Sequence, residues 1–332
     1  MSKLSRIVRS VKAFTEELAR DHSHLAAATT TPARRPKLGI ALGGGFARGM
    51  SHIGILKVLE EEKIPIDFIA GTSVGAVVGA GYCSGLSAKE LEEIACITRF
   101  KDFARWTISR FGVCSNDRMT GFLHRLLRVN SFEELRIPLA VSATDFATGE
   151  GVVFTQGPLI DAVRASCAYP GMFLPVNVNG RLLVDGLLGY PVPVRPLRAM
   201  GADRVIAVHL SAHWVKARAP RHVFEVIGQC FSIAENKMRG RWASEADIVL
   251  EPSVGEFAYD SFQRSPEMIA IAEKATRAVL PQIKSWFTAT QRETVADLHS
   301  VDLRDKDLSM VEAERARKGG DLPLAEAPLA AK

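Results

Sequence analysis

The stretch AGTSVGAVVGAG, residues 70–81, decides the fold of this 332-residue chain. It follows the apolar run IDFIA and places Ser73 between Gly71 and Gly75 in a G-x-S-x-G pattern. A strand that turns sharply into a helix needs small residues beside the turn, and the two glycines supply them. Such a turn lifts the serine hydroxyl above the sheet at a helix N-terminus, where the helix dipole favours negative charge. The stretch therefore predicts either a nucleophilic serine or a small residue at a purely structural turn.

Strand and helix patterns alternate on both sides of this turn. The apolar runs that predict strands include KLGIAL, IPLAVSATDF, GVVFTQG, RLLVDG and RVIAVHLS. Helical stretches lie between or after them, among them MSHIGILKVLEEE, MTGFLHRLLR, PLIDAVRASCA and VFEVIGQCFSIAENKMRGRWA. Ser87 and Glu90 in SAKELEEIA have the spacing of a capping box at a helix start. This alternation predicts an α/β fold with a mainly parallel sheet that is covered on both faces.

Composition shifts divide the chain into three predicted regions. Residues 1–36 are predicted to form an amphipathic helix and a linker, residues 37–288 the catalytic domain, and residues 289–332 a charged, mobile tail. The segment SRIVRSVKAFTEELA places apolar residues at helical spacing between basic ones. This pattern is typical either of a helix that lies on a lipid surface or of one packed on its own domain. Near the end of the second region, SPEMIAIAEKATRAVLPQIKSWF predicts two helices or one helix broken at Pro281.

The overall composition is that of a globular protein with a sizeable core, 47% hydrophobic and 24% charged. The net charge of +5 fits an anionic membrane surface, a nucleic acid, or neither. The five widely spaced cysteines predict reduced core thiols rather than a zinc site or a disulfide framework. Neither an apolar run long enough to span a membrane nor a convincing signal peptide occurs in the sequence. These features predict a cytoplasmic protein.

A second glycine-rich turn lies in LGIALGGGFARGMSHIG, where Gly43, Gly44 and Gly45 separate a predicted strand from a predicted helix. A dinucleotide fingerprint anchored at Gly43 needs glycine or alanine where Arg48 stands, and the G-K-[ST] of a P-loop is missing. The remaining interpretation is a run of backbone N–H donors suited to an oxyanion hole. Arg48 either adds positive charge to that hole or forms a structural ion pair. No metal, nucleotide or other cofactor is predicted.

A nucleophilic serine needs a base. His209, at the end of the predicted strand RVIAVHLS, and the nearby His213 would suit a histidine-using esterase with the chain order Ser, Asp, His. Asp185 in RLLVDG is the alternative base, at a strand end where a turn could aim it into a cleft. An aspartate before glycine is also common as a simple turn cap. The other histidines suit structural positions: His52 in packing, His124 on a helix surface, His222 in a loop and His299 in the tail.

Taken together, GGGFARG, GTSVG and VDG resemble, in this order, the motifs of the patatin-like phospholipases. The block RASCAYPGMFLPV and the helix SHIGILKVLEE strengthen the resemblance, which covers residues 37–212. It implies a three-layer α/β/α sandwich and a Ser–Asp dyad that needs no histidine. Carried over by motif, Ser73 is the nucleophile and Asp185 the base. The oxyanion hole is carried over to Gly43, Gly44, Gly45 and Arg48, and the nucleophile elbow to Gly71 and Gly75.

The resemblance also implies the substrate, a membrane-derived lipid ester such as a phospholipid or lysophospholipid. Nucleic acid is not an expected partner. Contact with an anionic membrane is expected to be peripheral, through residues 1–18 and the basic surface. Two departures keep one alternative open, a regulatory protein that keeps the fold with weak turnover: Leu187 stands where many members have glycine, and Tyr190 where many bacterial members have asparagine. The other alternative is the histidine-using α/β-hydrolase esterase, whose chain order Asp185 followed by His209 would fit.

Overall fold

A computed structural model describes residues 34–109, 112–210 and 223–288 of the protein. The compact unit that carries the site runs from Arg34 to Ala289. Its strands are β1 Leu38–Leu42, β2 Phe68–Thr72, β3 Arg105–Ser109, β4 Gly112–Ser115, β5 Leu139–Asp145, β6 Gly151–Phe154, β7 Gly171–Phe173, β8 Val176–Val178, β9 Arg181–Asp185, β10 Arg204–Val208 and β11 Ile248–Leu250. Its α-helices are α1 Ser51–Glu61, α2 Val74–Cys83, α3 Ala88–Ile97, α4 Asp117–Leu126, α5 Leu159–Ser166, α6 Val194–Ala199, α7 Val223–Ala243 and α8 Ser265–Thr288.

The central sheet has eight strands in the order β11-β10-β1-β2-β5-β9-β8, with β6 paired to β5 beside this path. The four pairings from β11 to β5 are parallel. Strands β6 and β9 run antiparallel to β5, and β8 runs antiparallel to β9. The predicted α/β fold with a mainly parallel sheet is confirmed, and the antiparallel strands at one end make the sheet mixed.

Both faces of this sheet are covered, which is why its inner strands read as continuous apolar runs. On β1, Leu38, Ile40 and Leu42 belong to a core cluster shared with α1, α2 and α8. Ala41, between them, belongs to a second cluster on the other face, shared with residues of α6 and with Trp242 of α7. This alternation of side chains on one strand produces the three-layer α/β/α arrangement.

Helix boundaries follow local sequence signals closely. The predicted capping box is present, because the Ser87 side chain accepts from the Glu90 amide and the Glu90 carboxylate accepts from the Ser87 amide.

Helix α8 is continuous through Pro281, so the predicted break at this residue is wrong. The helix is anchored on both sides of the proline, since Leu280 and Ile283 are buried in the core. Tertiary packing of this kind can hold a helix together across the one backbone hydrogen bond that proline removes.

A second, three-stranded sheet in the order β3-β4-β7 has no counterpart in the sequence prediction. Its strands are short, RWTIS, GVCS and GMF. RWTIS alternates polar and apolar residues, which is a strand signal, whereas GVCS and GMF show neither an apolar run nor alternation long enough to mark a strand. Pairing between β4 and β7, which lie far apart in sequence, creates this sheet.

The cysteines differ partly from their prediction as core thiols. Cys83, Cys114 and Cys167 are buried, Cys96 is half-buried, and Cys230 is exposed on α7. The prediction is therefore wrong for Cys230, because α7 presents that position to solvent.

Several predicted features lie outside the described residues. They are the amphipathic helix of the N-terminal region, the C-terminal tail, and His213, His222 and His299. Among the helices of the described ranges, none has the length and apolar character that a membrane crossing requires.

Candidate active site

The register of the sheet brings Ser73 and Asp185 into one row. Thr72, the last residue of β2, pairs with Ser142 of β5. The next residue of β5, Ala143, pairs with Asp185 at the end of β9. Ser142 and Ala143 both also pair with β6 on the other side of β5, so β2 and β9 lie on the same side of β5. The carboxyl ends of β2 and β9 meet there, which brings Ser73 and Asp185 together. This is the edge of the sheet where the parallel strands end, the usual place of sites in open α/β sheets.

Ser73 adopts the strained backbone of a nucleophile elbow, with φ 55° and ψ −125° at the start of α2. Positive φ is uncommon for a non-glycine residue and is found where a fold holds a functional side chain in place. A Cβ on Gly75 would lie 2.2 Å from the Leu42 carbonyl oxygen, and one on Gly71 would lie 2.5 Å from the Ala76 Cα. Both positions require glycine, as predicted from the tightness of the turn.

A neighbouring serine fixes the elbow from the other side. The Ser73 amide donates a 2.7 Å hydrogen bond to Oγ of Ser166, a fully buried residue at the end of α5. Ser166 lies in the RASCAYPGMFLPV block, but its residue type and spacing predict no role for it. Its position in that block was the available signal, but only the packing of α5 against α2 reveals the contact.

Asp185 is fully buried and tightly positioned. Its amide donates to the Ala168 carbonyl at 2.9 Å, and its own carbonyl accepts from Oγ1 of Thr144 at 2.9 Å. Oδ1 of the carboxylate accepts from the Leu187 amide at 3.0 Å. Within the described ranges, Oδ2 accepts no well-aligned hydrogen bond. One carboxylate oxygen is therefore used for orientation, and the other stays free.

Burial has the largest effect on the pKa of the Asp185 carboxyl and raises it to about 7. The Ser73 hydroxyl and the Leu187 N–H favour the charged form and partly offset the burial, whereas the charge of Glu235 raises the pKa further. Ser73 lines the same pocket as Asp185, so its hydroxyl lies near the carboxylate. A carboxylate with a pKa near neutrality can accept a proton far better than an ordinary aspartate.

The glycine loop lies directly against the serine, because a Cβ on Gly44 would be 3.6 Å from the Ser73 Cβ. Gly43 departs from its predicted role, since its amide already donates to the Val208 carbonyl at 3.0 Å and extends the pairing of β1 with β10. The Gly44 amide makes only a long 3.4 Å contact with the Pro191 carbonyl. The Gly45 amide has no hydrogen-bond partner in the described part of the chain. Gly44 and Gly45 are therefore the N–H groups of this loop that could reach an oxyanion.

Arg48 is buried beside this loop. Its Nε donates to the Gly45 carbonyl at 3.2 Å, and its Nη1 has no partner among the described residues. Of the two predicted roles, the ion pair is not formed within the described ranges. Glu235 of α7 still interacts with Arg48 at longer range, and burial raises the pKa of Glu235 to about 7. The guanidinium is thus a buried cation with spare donor capacity.

Ser73, Asp185 and Arg48 line one pocket, which we call the polar pocket. Helix α7 closes it with Glu225, Phe231 and Glu235. No sequence signal marks these residues, because α7 carries no motif and only the fold brings it to the pocket. Among the described residues, no group of three or more His, Cys, Asp or Glu side chains could hold a metal ion.

The histidines take structural positions. His52 is fully buried, and its Nε2 lies 2.8 Å from the Gly43 carbonyl, which can only accept; Nε2 therefore carries the proton. Burial lowers the pKa of His52 to about 4, so this ring is neutral. His209 contacts Glu251 through Nδ1 at 2.9 Å and packs on Trp242. It does not line the polar pocket. His124 is exposed on α4, as predicted.

The two departures from the motif pattern do not remove contacts to Asp185. The Leu187 contact uses a backbone N–H, which leucine and glycine both provide. Tyr190 joins its loop to β2, since its carbonyl accepts from Oγ1 of Thr72 at 2.6 Å. Gly186 is the position where glycine is required, because a Cβ there would lie 2.4 Å from the Ser142 carbonyl oxygen.

A family model described as patatin-like phospholipase matches residues 40–198, which include Ser73, Asp185 and the glycine loop. The chain belongs to the patatin-like phospholipase family. The match ends before β10, so the family model does not include α7, which closes the polar pocket. The resemblance deduced from the motifs is confirmed.

Sequence relatives of this patatin-like protein include members of the NTE family. An uncharacterized NTE family protein of Mycobacterium tuberculosis is 36% identical over 191 residues, which are 53% of this chain and 49% of the relative. Lysophospholipase NTE1 of Mycosarcoma maydis is 32% identical over 257 residues, 73% of this chain and 13% of the relative. The chain thus spans about half of the mycobacterial relative and a small part of the fungal one. Among solved structures, VipD from Legionella pneumophila aligns with a TM-score of 0.43 at 15% identity, over 76% of this chain and 67% of that one.

Proposed function

We propose that this patatin-like protein is a serine hydrolase of lipid esters that uses Ser73 as nucleophile and Asp185 as base. The observation that carries the proposal is the meeting of the carboxyl ends of β2 and β9 on one side of β5. There Ser73, in a strained elbow, lines the same pocket as a buried carboxylate with one unbonded oxygen. The name of the fungal relative, a lysophospholipase, supports a phospholipid or lysophospholipid as substrate. The proposed place of action is the cytoplasmic face of a membrane.

In the proposed acylation step, Oδ2 of Asp185 accepts the proton of the Ser73 hydroxyl while Oγ forms a bond to the ester carbonyl carbon. The carbonyl oxygen becomes an oxyanion. The amides of Gly44 and Gly45, with the unpaired N–H groups in the first turn of α2, are placed to donate to it. The ester C–O bond then breaks, the proton on Asp185 moves to the departing alkoxide, and an acyl-enzyme remains.

Deacylation repeats these steps with water. Asp185 accepts a proton from water as the oxygen attacks the acyl carbon, and the same N–H groups stabilise the second oxyanion. The bond to Ser73 breaks, Oγ takes the proton back from Asp185, and the fatty acid leaves. The positive charge of Arg48, which holds the Gly45 carbonyl, favours both oxyanions.

A fluorophosphonate probe tests the proposal, because it phosphonylates an activated serine with loss of fluoride. We expect labelling of the wild-type protein at Ser73 and none in Ser73→Ala. Asp185→Asn should lower both labelling and lysophospholipid hydrolysis by at least about a hundredfold, the range typical of a lost general base. A folded wild-type protein that does not react would favour the regulatory alternative.

The matched control addresses the histidine-using alternative. His209→Ala should keep most of the activity, because His209 pairs with Glu251 outside the polar pocket. If His209→Ala were as inactive as Ser73→Ala while melting like the wild-type protein, the dyad would be wrong. Hydrolysis rates measured on a panel of lipid classes, with Ser73→Ala as the inactive control, then identify the lipid ester that the protein cleaves.

Peripheral membrane contact through residues 1–18 remains part of the proposal. Its test is co-sedimentation of the full chain with anionic and neutral vesicles, next to a variant in which the apolar residues Ile7, Val11 and Phe14 are changed to serine. We expect weaker binding of the variant. Equal binding of both proteins would exclude this segment as the contact.

A further inference from the structure

Ser73 also lines a second pocket. It shares only Phe46 and Ser73 with the polar pocket. Ser73 therefore lies where the two cavities meet, and Phe46 lines both of them. We call the second cavity the apolar pocket. An ester bound at Ser73 must direct one substituent of its carbonyl carbon into each of these spaces or into solvent.

The linings of the two pockets differ sharply in charge. The polar pocket contains Arg48, Asp185, Glu225 and Glu235. The described residues of the apolar pocket include no charged side chain. Its polar members are also occupied or weak: the Thr98 hydroxyl donates to the Ile94 carbonyl at 2.8 Å, and Cys167 contributes a buried thiol. Methylene groups gain free energy in such a lining and would lose it beside buried charges.

The walls of the apolar pocket come from segments that lie far apart in the sequence. Helix α2 contributes Val74 and Val77, so the pocket follows this helix away from Ser73. The opposite wall is aromatic, because Phe103 packs against Phe122 at 6.0 Å and against Phe262 at 5.4 Å between ring centroids. The three packed rings therefore give the pocket a continuous apolar wall.

We propose that the apolar pocket binds the acyl chain of the substrate and that Val77 and Phe122 set the accepted chain length. The inference rests on the proposed function, since it assumes an ester carbonyl at Ser73. Val77 lies one helical turn beyond Ser73, roughly 6 Å along α2, which corresponds to the first few carbons of the chain. Phe122 belongs to the aromatic wall on α4. The head group then occupies the polar pocket, where Arg48 and Glu235 offer charges of both signs.

The test uses P-alkyl fluorophosphonates with ethyl and dodecyl groups, because the alkyl group takes the place of the acyl chain. The measured quantity is the ratio of dodecyl to ethyl labelling rates at Ser73. We expect Val77→Phe to lower this ratio about tenfold or more, because the added ring fills the path beside Ser73. Phe122→Leu should raise the ratio relative to the wild-type protein. Thermal melting of each variant verifies that it is folded.

Ile227→Phe is the matched control, since Ile227 of α7 lines the polar pocket and receives a ring of similar size. The dodecyl-to-ethyl ratio of this variant should stay within about twofold of the wild-type ratio. If Ile227→Phe lowered the ratio and Val77→Phe did not, the chain would lie in the polar pocket and the inference would be overturned.

A separate binding experiment distinguishes failure of this inference from failure of the proposed function. If neither probe labels the wild-type protein, the hydrolase proposal fails. The pocket is then examined with the fluorescent fatty acid cis-parinaric acid. Binding that Val77→Phe weakens about tenfold supports an acyl-chain pocket without catalysis. Absent binding, or equal binding by both proteins, overturns it.

Discussion

Asp185 owes its chemistry to its lack of contact with water. Its carboxylate has one fixed oxygen and one free one, and burial raises its pKa to about 7. In water an aspartate is ionised at far lower pH and is a weak base. Removal from solvent therefore makes this residue a credible partner for a serine hydroxyl without a histidine between them.

The pKa of Asp185, about 7, predicts how the catalytic rate depends on pH. Because the base must be ionised, we expect kcat/KM for a neutral short-chain ester to rise about tenfold per pH unit below pH 7 and to level off above it. The measurement is a rate profile from about pH 5 to about pH 9. A profile that stays flat across neutrality would show that ionisation of Asp185 does not limit the reaction.

A substitution of Glu235 tests the acidic limb of the pH–rate profile independently. Its charge raises the pKa of Asp185, so Glu235→Gln should move the acidic limb to lower pH. Glu245→Gln removes an equal charge from a surface pair with Arg195 and serves as the control. If the acidic limb of the pH–rate profile stayed at the same pH in a folded Glu235→Gln variant, Glu235 would not influence the pKa of Asp185.

The raised pKa also has a consequence for stability. The folded protein binds the Asp185 proton more tightly than the unfolded chain, so folding stability is lost as the pH rises through about 7. Asp185→Asn removes this cost and keeps an acceptor for the Leu187 amide. We expect a gain of at most about 4 kcal/mol at alkaline pH that shrinks as the pH approaches 4. Urea denaturation at both pH values measures it, and a variant that is less stable at alkaline pH would contradict the argument.

The glycine loop between β1 and α1 depends on a buried histidine. Nε2 of His52 donates to the Gly43 carbonyl, which holds the segment that carries the Gly44 and Gly45 amides. His52→Leu leaves that carbonyl without a partner, so we expect a loss of about 1–3 kcal/mol in the free energy of unfolding. The fluorophosphonate labelling rate should fall with it. Wild-type stability and labelling in this variant would mean that the loop holds its shape without the histidine.

Strand β1 and helix α2 meet at Gly75 with no room for a side chain. Since a Cβ at Gly75 would lie 2.2 Å from the Leu42 carbonyl oxygen, Gly75→Ala should lower the melting temperature and abolish labelling of Ser73. Gly240→Ala is the matched control within α7, because a Cβ there meets no atom within 4 Å. It should stabilise the protein by up to about 1 kcal/mol through helix propensity. Equal melting temperatures for the two variants would contradict this.

The whole molecule joins elements from distant parts of the sequence at one edge of the sheet. The glycine loop follows β1, Ser73 follows β2, Asp185 ends the antiparallel strand β9, and α7 closes the polar pocket. The strands bring their residues together through register alone. The helix is different, because it lies beyond the matched family segment and supplies charges that the motifs do not include.

The local structure of this protein was determined by its sequence. The strand-turn-helix at Ser73, the capping box at Ser87 and the alternation of elements follow from glycine sterics, side-chain hydrogen bonding and apolar periodicity within short windows. Asp185 was identified by a turn and by its place in a family motif, since no local pattern reveals how deeply a carboxylate will be buried.

Tertiary structure alone decided what those residues can do. It brought the ends of β2 and β9, and with them Ser73 and Asp185, together on one side of β5. It used the Gly43 amide in the sheet and kept α8 continuous through Pro281. It also formed the β3-β4-β7 sheet, built the aromatic wall of the apolar pocket and brought Glu235 to the base. The physical reason is common to all of these features: burial, strand register and long-range packing depend on contacts between residues far apart in the chain, and short windows of sequence do not contain them.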